Sequence, residues 1–192
     1  MDMRVRKTKR SIFNAFLELR SKKPLEKIRV GELCQLAEIN KSTFYTHYQD
    51  IYDLSEAIEE EALQSCLNIP HPEYVLSCME GFIRELYQAY FAQERLLEIL
   101  FSGSRERLLT ERIAENVIRM VSGQYPEQAR DPAFQAMLAY QVYGSIYAFH
   151  VMKQYGEEAA LSVIVKLAGT RGIAEAEQKN KTEYGERKTY EE

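Results

Sequence analysis

Positions 41 to 48 read Lys-Ser-Thr-Phe-Tyr-Thr-His-Tyr, which is short hydroxyls, phenols, an imidazole and one ammonium with no carboxylate. At helical spacing Phe44 and Tyr48 lie four apart and point together into a small core. The opposite side then carries Ser42, Thr43, Tyr45 and Thr46, with Lys41 and His47 at its flanks. Such groups hydrogen-bond to phosphate oxygens and to base edges, where an acid would be repelled. Short polar side chains near a helix N-terminus suit a major groove. Taken alone, the run is equally well explained as a solvated helix face, because short polar helical patterns are common.

The elements that must position this run are legible on either side of it. Residues 5–22 place Ile12, Ala15, Phe16 and Leu19 on one helical stripe, which Pro24 stops. A second short helix over 30–37 gathers Val30, Leu33, Leu36 and Ala37. Glu38-Ile39-Asn40 breaks that pattern, and Asn40 stands where its side chain can cap the first amides of a third helix over 41–48. Two helices of about eight residues joined by three, with a longer helix before them, make a helix-turn-helix. From Ile51 a further helix carries Leu54, Ile58, Ala62 and Leu63, ending near Asn68 before Pro70 and Pro72. Apolar-rich helical stretches follow at 73–92, 94–101, 105–122, 132–155 and 157–170, and no internal repeat is present. The segment 175–192 is almost wholly polar and is expected to be disordered. The expected fold is all-α: a three-helix DNA-binding domain over 1–54, a helical regulatory and dimerisation domain over 55–174, and a tail.

Composition agrees with that class. Only 9 Gly and 5 Pro occur in 192 residues, which favours long helices over a many-stranded sheet. The net charge of -4 hides an asymmetry: residues 1–54 carry 11 Lys and Arg against 7 Asp and Glu, and the remainder carries 14 against 22. A basic head attracts phosphates while an acidic body limits non-specific sticking. Arg4, Arg6, Lys7, Lys9 and Arg10 open the chain without an apolar stretch behind them, so no secretory signal is expected. Cys34, Cys66 and Cys78 are odd in number and lack CxxC spacing, which supports neither a disulfide framework nor a zinc finger. A cytoplasmic chain is expected.

The string Ile28-Arg29-Val30-Gly31-Glu32-Leu33-Cys34-Gln35-Leu36-Ala37-Glu38-Ile39-Asn40, continuing through 41–48 to Gln49-Asp50-Ile51-Tyr52-Asp53-Leu54, resembles the DNA-binding domain of the tetracycline-repressor (TetR) family. The Ser-Thr-Phe-Tyr-x-His-Tyr core and the trailing Asp-Ile-Tyr-Asp-Leu carry most of the likeness, which covers about residues 5–60. The resemblance implies DNA contacts from Lys41, Ser42, Thr43, Tyr45, Thr46 and His47. Of these, Tyr45 and His47 would face the phosphate backbone and the earlier residues the bases. It implies a buried pair in Phe44 and Tyr48. Three positions depart from the pattern. Arg29 replaces the usual Thr cap and is itself a candidate phosphate contact, Glu38 replaces the usual turn Gly, and Ile51 replaces a common Lys.

For the body, the resemblance implies a dimerising, effector-binding domain. Independent support comes from 132–152, which are 21 residues without one charge and apolar nearly all round. Such a helix needs burial on more than one side, by its own bundle and by a partner. Ala136, Tyr140, Gly144 and Ala148, with Leu161, Ile164, Val165 and Ala168 of the following helix, are the candidate homodimer interface. The run is also as long as a membrane span, but Gln135, Gln141, Ser145 and His150 would be costly in lipid, so no membrane association is expected. Aromatics and methionines crowd the middle helices. A helical core explains them; a pocket for a small apolar or aromatic effector, lined by Phe82, Tyr87, Met120, Gln141, Tyr143, Tyr147 and His150, is the functional alternative.

Enzymatic readings find little. No Walker A, GxGxxG, GxSxG or HExxH pattern occurs, and His47, His71 and His150 lack metal-site spacing. Glu59-Glu60-Glu61 reads as a solvated face. The expected function is a dimeric, ligand-responsive DNA-binding repressor on near-palindromic duplex DNA, without cofactor, metal or enzymatic activity. An activator or adaptor of the same fold under a protein partner, and a helical scaffold for protein contacts, stay open.

Overall fold

Apolar stripes at helical period, few glycines and prolines at the stripe ends give a chain of helices. The structure is a computed structural model that describes residues 3–68 and 79–169; His71, Cys78 and the 175–192 tail lie outside the described residues. The helices are α1 Met3–Arg20, α2 Val30–Leu36, α3 Lys41–Tyr45, α4 Ile51–Leu67, α5 Met79–Leu100, α6 Glu106–Gln124, α7 Pro132–Met152 and α8 Glu157–Gly169. Single 3-10 turns occupy Leu25–Lys27, Gly103–Arg105, Gln128–Arg130 and Lys153–Tyr155. No strand occurs among the described residues, so the fold is all-α as expected.

Two helical boundaries differ from expectation for local reasons. The stretches 73–92 and 94–101 form a single helix through Ala92-Gln93-Glu94-Arg95, all good helix formers with no Gly or Pro to interrupt them. The third short helix stops at Tyr45 rather than 48, although Tyr48 N–H still bonds the Phe44 carbonyl at 3.0 Å. At the other end of the chain, α7 starts sharply because Asp131 accepts from the Ala133 amide at 2.9 Å and Pro132 occupies the first turn. It ends in a 3-10 turn closed by Gly156 at φ 99, a conformation costly for any side chain.

The described residues of Met1–Cys66 and Phe91–Leu109 form one compact unit, and those of Leu67–Tyr90 and Thr110–Glu192 a second. This differs from a division at 54/55, because α4 and the α5–α6 corner belong with the N-terminal helices. In the first unit α1 packs on α2 and α2 on α3. Ile12, Phe16, Leu33, Phe44, Leu54 and Leu63 are buried there with Leu97, Leu100 and Phe101. Each such side chain contributes about 1.5–3 kcal/mol over an exposed one.

Polar ties inside this unit are specific. Arg20 donates from Nη2 to the Leu100 and Ser102 carbonyls, both at 3.1 Å. Glu59 is fully buried and accepts from Ser55 Oγ at 2.7 Å and from Arg105 Nε and Nη2 at 2.9 and 2.6 Å. The acidic run is therefore not wholly a solvated face. Glu59 shares the helical phase of Ser55, Ala62 and Cys66, which are also buried, while Glu60 and Glu61 are exposed. Burial pulls the Arg20 guanidinium below its ordinary pKa, with Glu26 opposing. Cys34 and Cys66 are buried free thiols, and burial pushes Cys66 up to about 11, so both are core atoms held protonated.

In the second unit α7 packs along α8. The Tyr87 ring sits 4.6 Å from Phe149, and its hydroxyl donates to the Ser145 carbonyl at 3.3 Å. Burial pushes the Tyr87 phenol well above its ordinary pKa, so it stays protonated. No helix among the described residues is long and apolar enough to cross a membrane.

Candidate nucleic-acid interface

The interface begins with the anchor that fixes it. Phe44 is fully buried, with the Tyr48 ring 5.7 Å away and half-buried, and the Tyr45 ring meets Phe44 edge-on at 5.4 Å. With Phe44 inward, α3 presents Lys41, Ser42 and Tyr45 to solvent, followed by Thr46; Thr43 and His47 are half-buried beside them. Tyr45 is 56% exposed, which is high for a phenol and leaves its hydroxyl accessible. Among the described residues the side chains of Arg29, Lys41, Ser42, Tyr45 and His47 make no hydrogen bond or ion pair. Their donors remain available to an acceptor from outside. Thr46 spends its hydroxyl hydrogen on the Thr43 carbonyl at 2.7 Å, which closes the helix end.

The turn before α3 is a tight helix stop. Glu38 N–H bonds the Gln35 carbonyl and Ile39 N–H the Cys34 carbonyl, the paired bonds of a Schellman motif. That motif demands a left-handed residue, and Glu38 supplies it at φ 55, the position where the resemblance has glycine. A side chain in this conformation costs about 1–2 kcal/mol. Glu38→Gly is accordingly expected to raise stability by about 1 kcal/mol. Chemical denaturation checks this, and a destabilised variant would contradict it. Removing the acid also takes one negative charge from the margin of α3.

Capping was only partly legible. Asn40 occupies the N-cap position of α3 with extended backbone, but its side chain makes no capping hydrogen bond, contrary to expectation. Arg29 likewise caps α2 with backbone alone and leaves its exposed guanidinium outward. The effective cap lies elsewhere. Asp50 accepts from the Tyr52 and Asp53 amides at 2.7 and 2.9 Å, and Asp53 reaches back to the Gln49 amide at 2.7 Å. The Asp-x-x-Asp spacing could have announced this reciprocal cap. It fixes the exit from the α3 region, while Ile51 serves as buried core at the start of α4.

Two neighbours complete the surface. Gly31 leaves room for the Lys41 stem, since a Cβ there would lie 3.3 Å from Lys41 Cε. Thr8 shares a polar hollow with Glu38, Asn40 and Thr43, so the first half of α1 runs beside the start of α3. That half carries Arg4, Arg6, Lys7, Lys9 and Arg10, and these cations therefore lie on the same side of the unit as the turn.

The expected effector residues separate. Phe82, Tyr87 and Gln141 line one pocket in the second unit, together with residues of α6 and α8. Met120, Tyr143, Tyr147 and His150 do not line it; Tyr143 and Tyr147 are 42% and 71% exposed, on the outer side of α7. The expected interface residues separate too. Ala136, Tyr140 and Gly144 are exposed and Ala148 half-exposed, at a spacing of four along α7. Leu161 and Ile164 are buried within their own subunit, and Ala168 lines the pocket, so the inward face of α8 holds three of its four expected interface residues; Val165 is half-exposed. The reason is phase: α8 turns its apolar side to α7 and leaves Lys166 and Leu167 outward.

Among the described residues no group of three or more His, Cys, Asp or Glu could hold a metal ion. No protein-family model, no curated protein and no solved structure matches this chain.

Proposed function

We propose that this chain is a TetR-type transcription regulator that grips duplex DNA as a homodimer through a helix-turn-helix formed by α2 and α3. The observation that carries the reading is the surface around Phe44. One buried ring holds an ammonium, hydroxyls and a phenol outward on a short helix, with a basic helix half beside it. Tyr45, His47 and Lys41 meet phosphates, and Ser42 and Thr43 reach base edges in the major groove. Two copies place their α3 helices in successive grooves, about 34 Å apart along the duplex.

The second copy docks on the outer face of α7. Tyr140, Tyr143, Tyr147 and Val151 stand 78%, 42%, 71% and 42% exposed on a helix without one charge. An apolar patch of that kind is rarely left to water on a monomer. An effector in the second unit then selects between dimers that fit DNA and dimers that do not, which makes a cytoplasmic, ligand-responsive repressor.

The test is a duplex-binding titration on a site obtained by selection from random DNA. The Lys41→Ala/Tyr45→Ala protein should bind at least about tenfold more weakly on every sequence, with a salt dependence shallower by about one unit. Unchanged affinity and slope in this protein would count against the proposal.

A further inference from the structure

The pocket of the second unit is walled by all four of its helices, and the kind of molecule it accepts can be read from its walls. Phe82 and Tyr87 come from α5, Val117 from α6, Leu138, Gln141 and Ser145 from α7, and Ala168 closes the side toward α8. None of the lining residues is Asp, Glu, Lys, Arg or His. An ion entering here would exchange its hydration for a low-dielectric wall with no opposite charge. The polar groups are neutral and few: one phenol, one amide and one hydroxyl. The Tyr87 hydroxyl hydrogen is committed to the Ser145 carbonyl at 3.3 Å, which leaves the phenol oxygen an acceptor. Gln141 and Ser145 add both donor and acceptor capacity.

Size limits the ligand as firmly as charge. The pocket encloses about 70 Å³, against roughly 150 Å³ for an apolar protein cavity that takes benzene. A branched body of about four heavy atoms enters with little repacking; a ring must displace a wall residue such as Phe82 or Leu138.

We infer that this pocket binds small, uncharged, branched apolar molecules bearing a single hydrogen-bonding group, and that it rejects anions and cations of the same shape. The inference deepens the ligand-responsive part of the proposed function and rests on that reading only for its consequence on DNA. Binding itself is a property of the second unit and is measured with no DNA present.

Three probes of one shape and four heavy atoms separate charge from size: propan-2-ol, acetate and isopropylammonium. Each is titrated into the full chain carrying labelled methyl groups, and the Leu138, Val142 and Ile146 signals are followed. Propan-2-ol should shift them saturably, with a dissociation constant no tighter than about 40 µM, the limit for four heavy atoms at the best ligand efficiency. Acetate and isopropylammonium should bind at least about tenfold more weakly. Ala168→Leu fills the pocket and should abolish the response; Val117→Ile adds one methylene from another wall and should weaken it should the larger change disturb folding. Equal responses to all three probes, saturation by none, or a response that survives both substitutions would overturn the inference. A chain that binds propan-2-ol but selects no duplex keeps this pocket and loses the regulator reading. One that selects a duplex but ignores all three probes does the reverse.

Discussion

Arg105→Ala is expected to lower the unfolding free energy by about 3–5 kcal/mol, the penalty for breaking a buried ion pair from one side. Glu59 has no exposed surface and takes two of its hydrogen bonds from the Arg105 guanidinium, at 2.9 and 2.6 Å. Removing that group leaves a buried carboxylate without its strongest donors, with the Ser55 hydroxyl still bonded at 2.7 Å. The double replacement Glu59→Leu/Arg105→Met should recover most of the loss, because no charge then remains to be desolvated. Urea unfolding of the two variants decides the matter. A loss below about 1 kcal/mol in Arg105→Ala would mean that the pair behaves as a solvent-screened surface bridge. The pair acts on the corner between α5 and α6, which Arg20 grips from the other direction through the Leu100 and Ser102 carbonyls. Its loss should therefore appear first as a loosened first unit, the one that carries α3.

Gly144→Glu is expected to turn a dimer into a monomer without harming the fold. A Cβ at Gly144 meets nothing within 4 Å, so the new side chain has open space in the isolated subunit. Replacing glycine inside α7 also raises helix propensity by about 0.5–1 kcal/mol, so the monomer should melt no lower than before. In a two-fold interface the same substitution places two carboxylates near the axis, desolvated and mutually repelling. The dimer dissociation constant should rise at least about 100-fold by sedimentation, matching the loss of a buried hot spot. Duplex affinity should fall with it, since each half-site alone contributes only part of the contact area. An unchanged dimer would show that the face of Ala136, Tyr140, Gly144 and Ala148 is not the contact between copies.

The helices were legible because their signals are local and redundant. The stripe of Ile12, Ala15, Phe16 and Leu19 and the pair Asp131-Pro132 each state an element by period or cap, and the structure places those elements as expected. What escaped were properties that depend on phase against a neighbour. Glu59 looks like one of three surface acids until its register with Ser55, Ala62 and Cys66 puts it inside. Leu161 and Ile164 look as suitable for a partner as for the core, and only the packing of α8 on α7 turns them inward. Leu36 was expected inside with Leu33 but stands 40% exposed, because α2 is seven residues long and its last turn overhangs. The anchor of the candidate interface was the easy part, since Phe44 is the one large apolar residue in a polar octet. The caps were the hard part: Asn40 has the right residue type and makes no cap bond, while Asp50 and Asp53 do the capping.

The most direct measurement is selection of duplexes from a random pool by the purified chain, followed by sequencing of what it retains. If the α3 surface reads DNA, the pool converges on an inverted repeat whose half-sites lie about one helical turn apart, and protein carrying Ser42→Ala and Thr43→Ala loses preference at the positions those hydroxyls touch. A pool that stays random through successive rounds at moderate salt, with folded dimeric protein in hand, contradicts it.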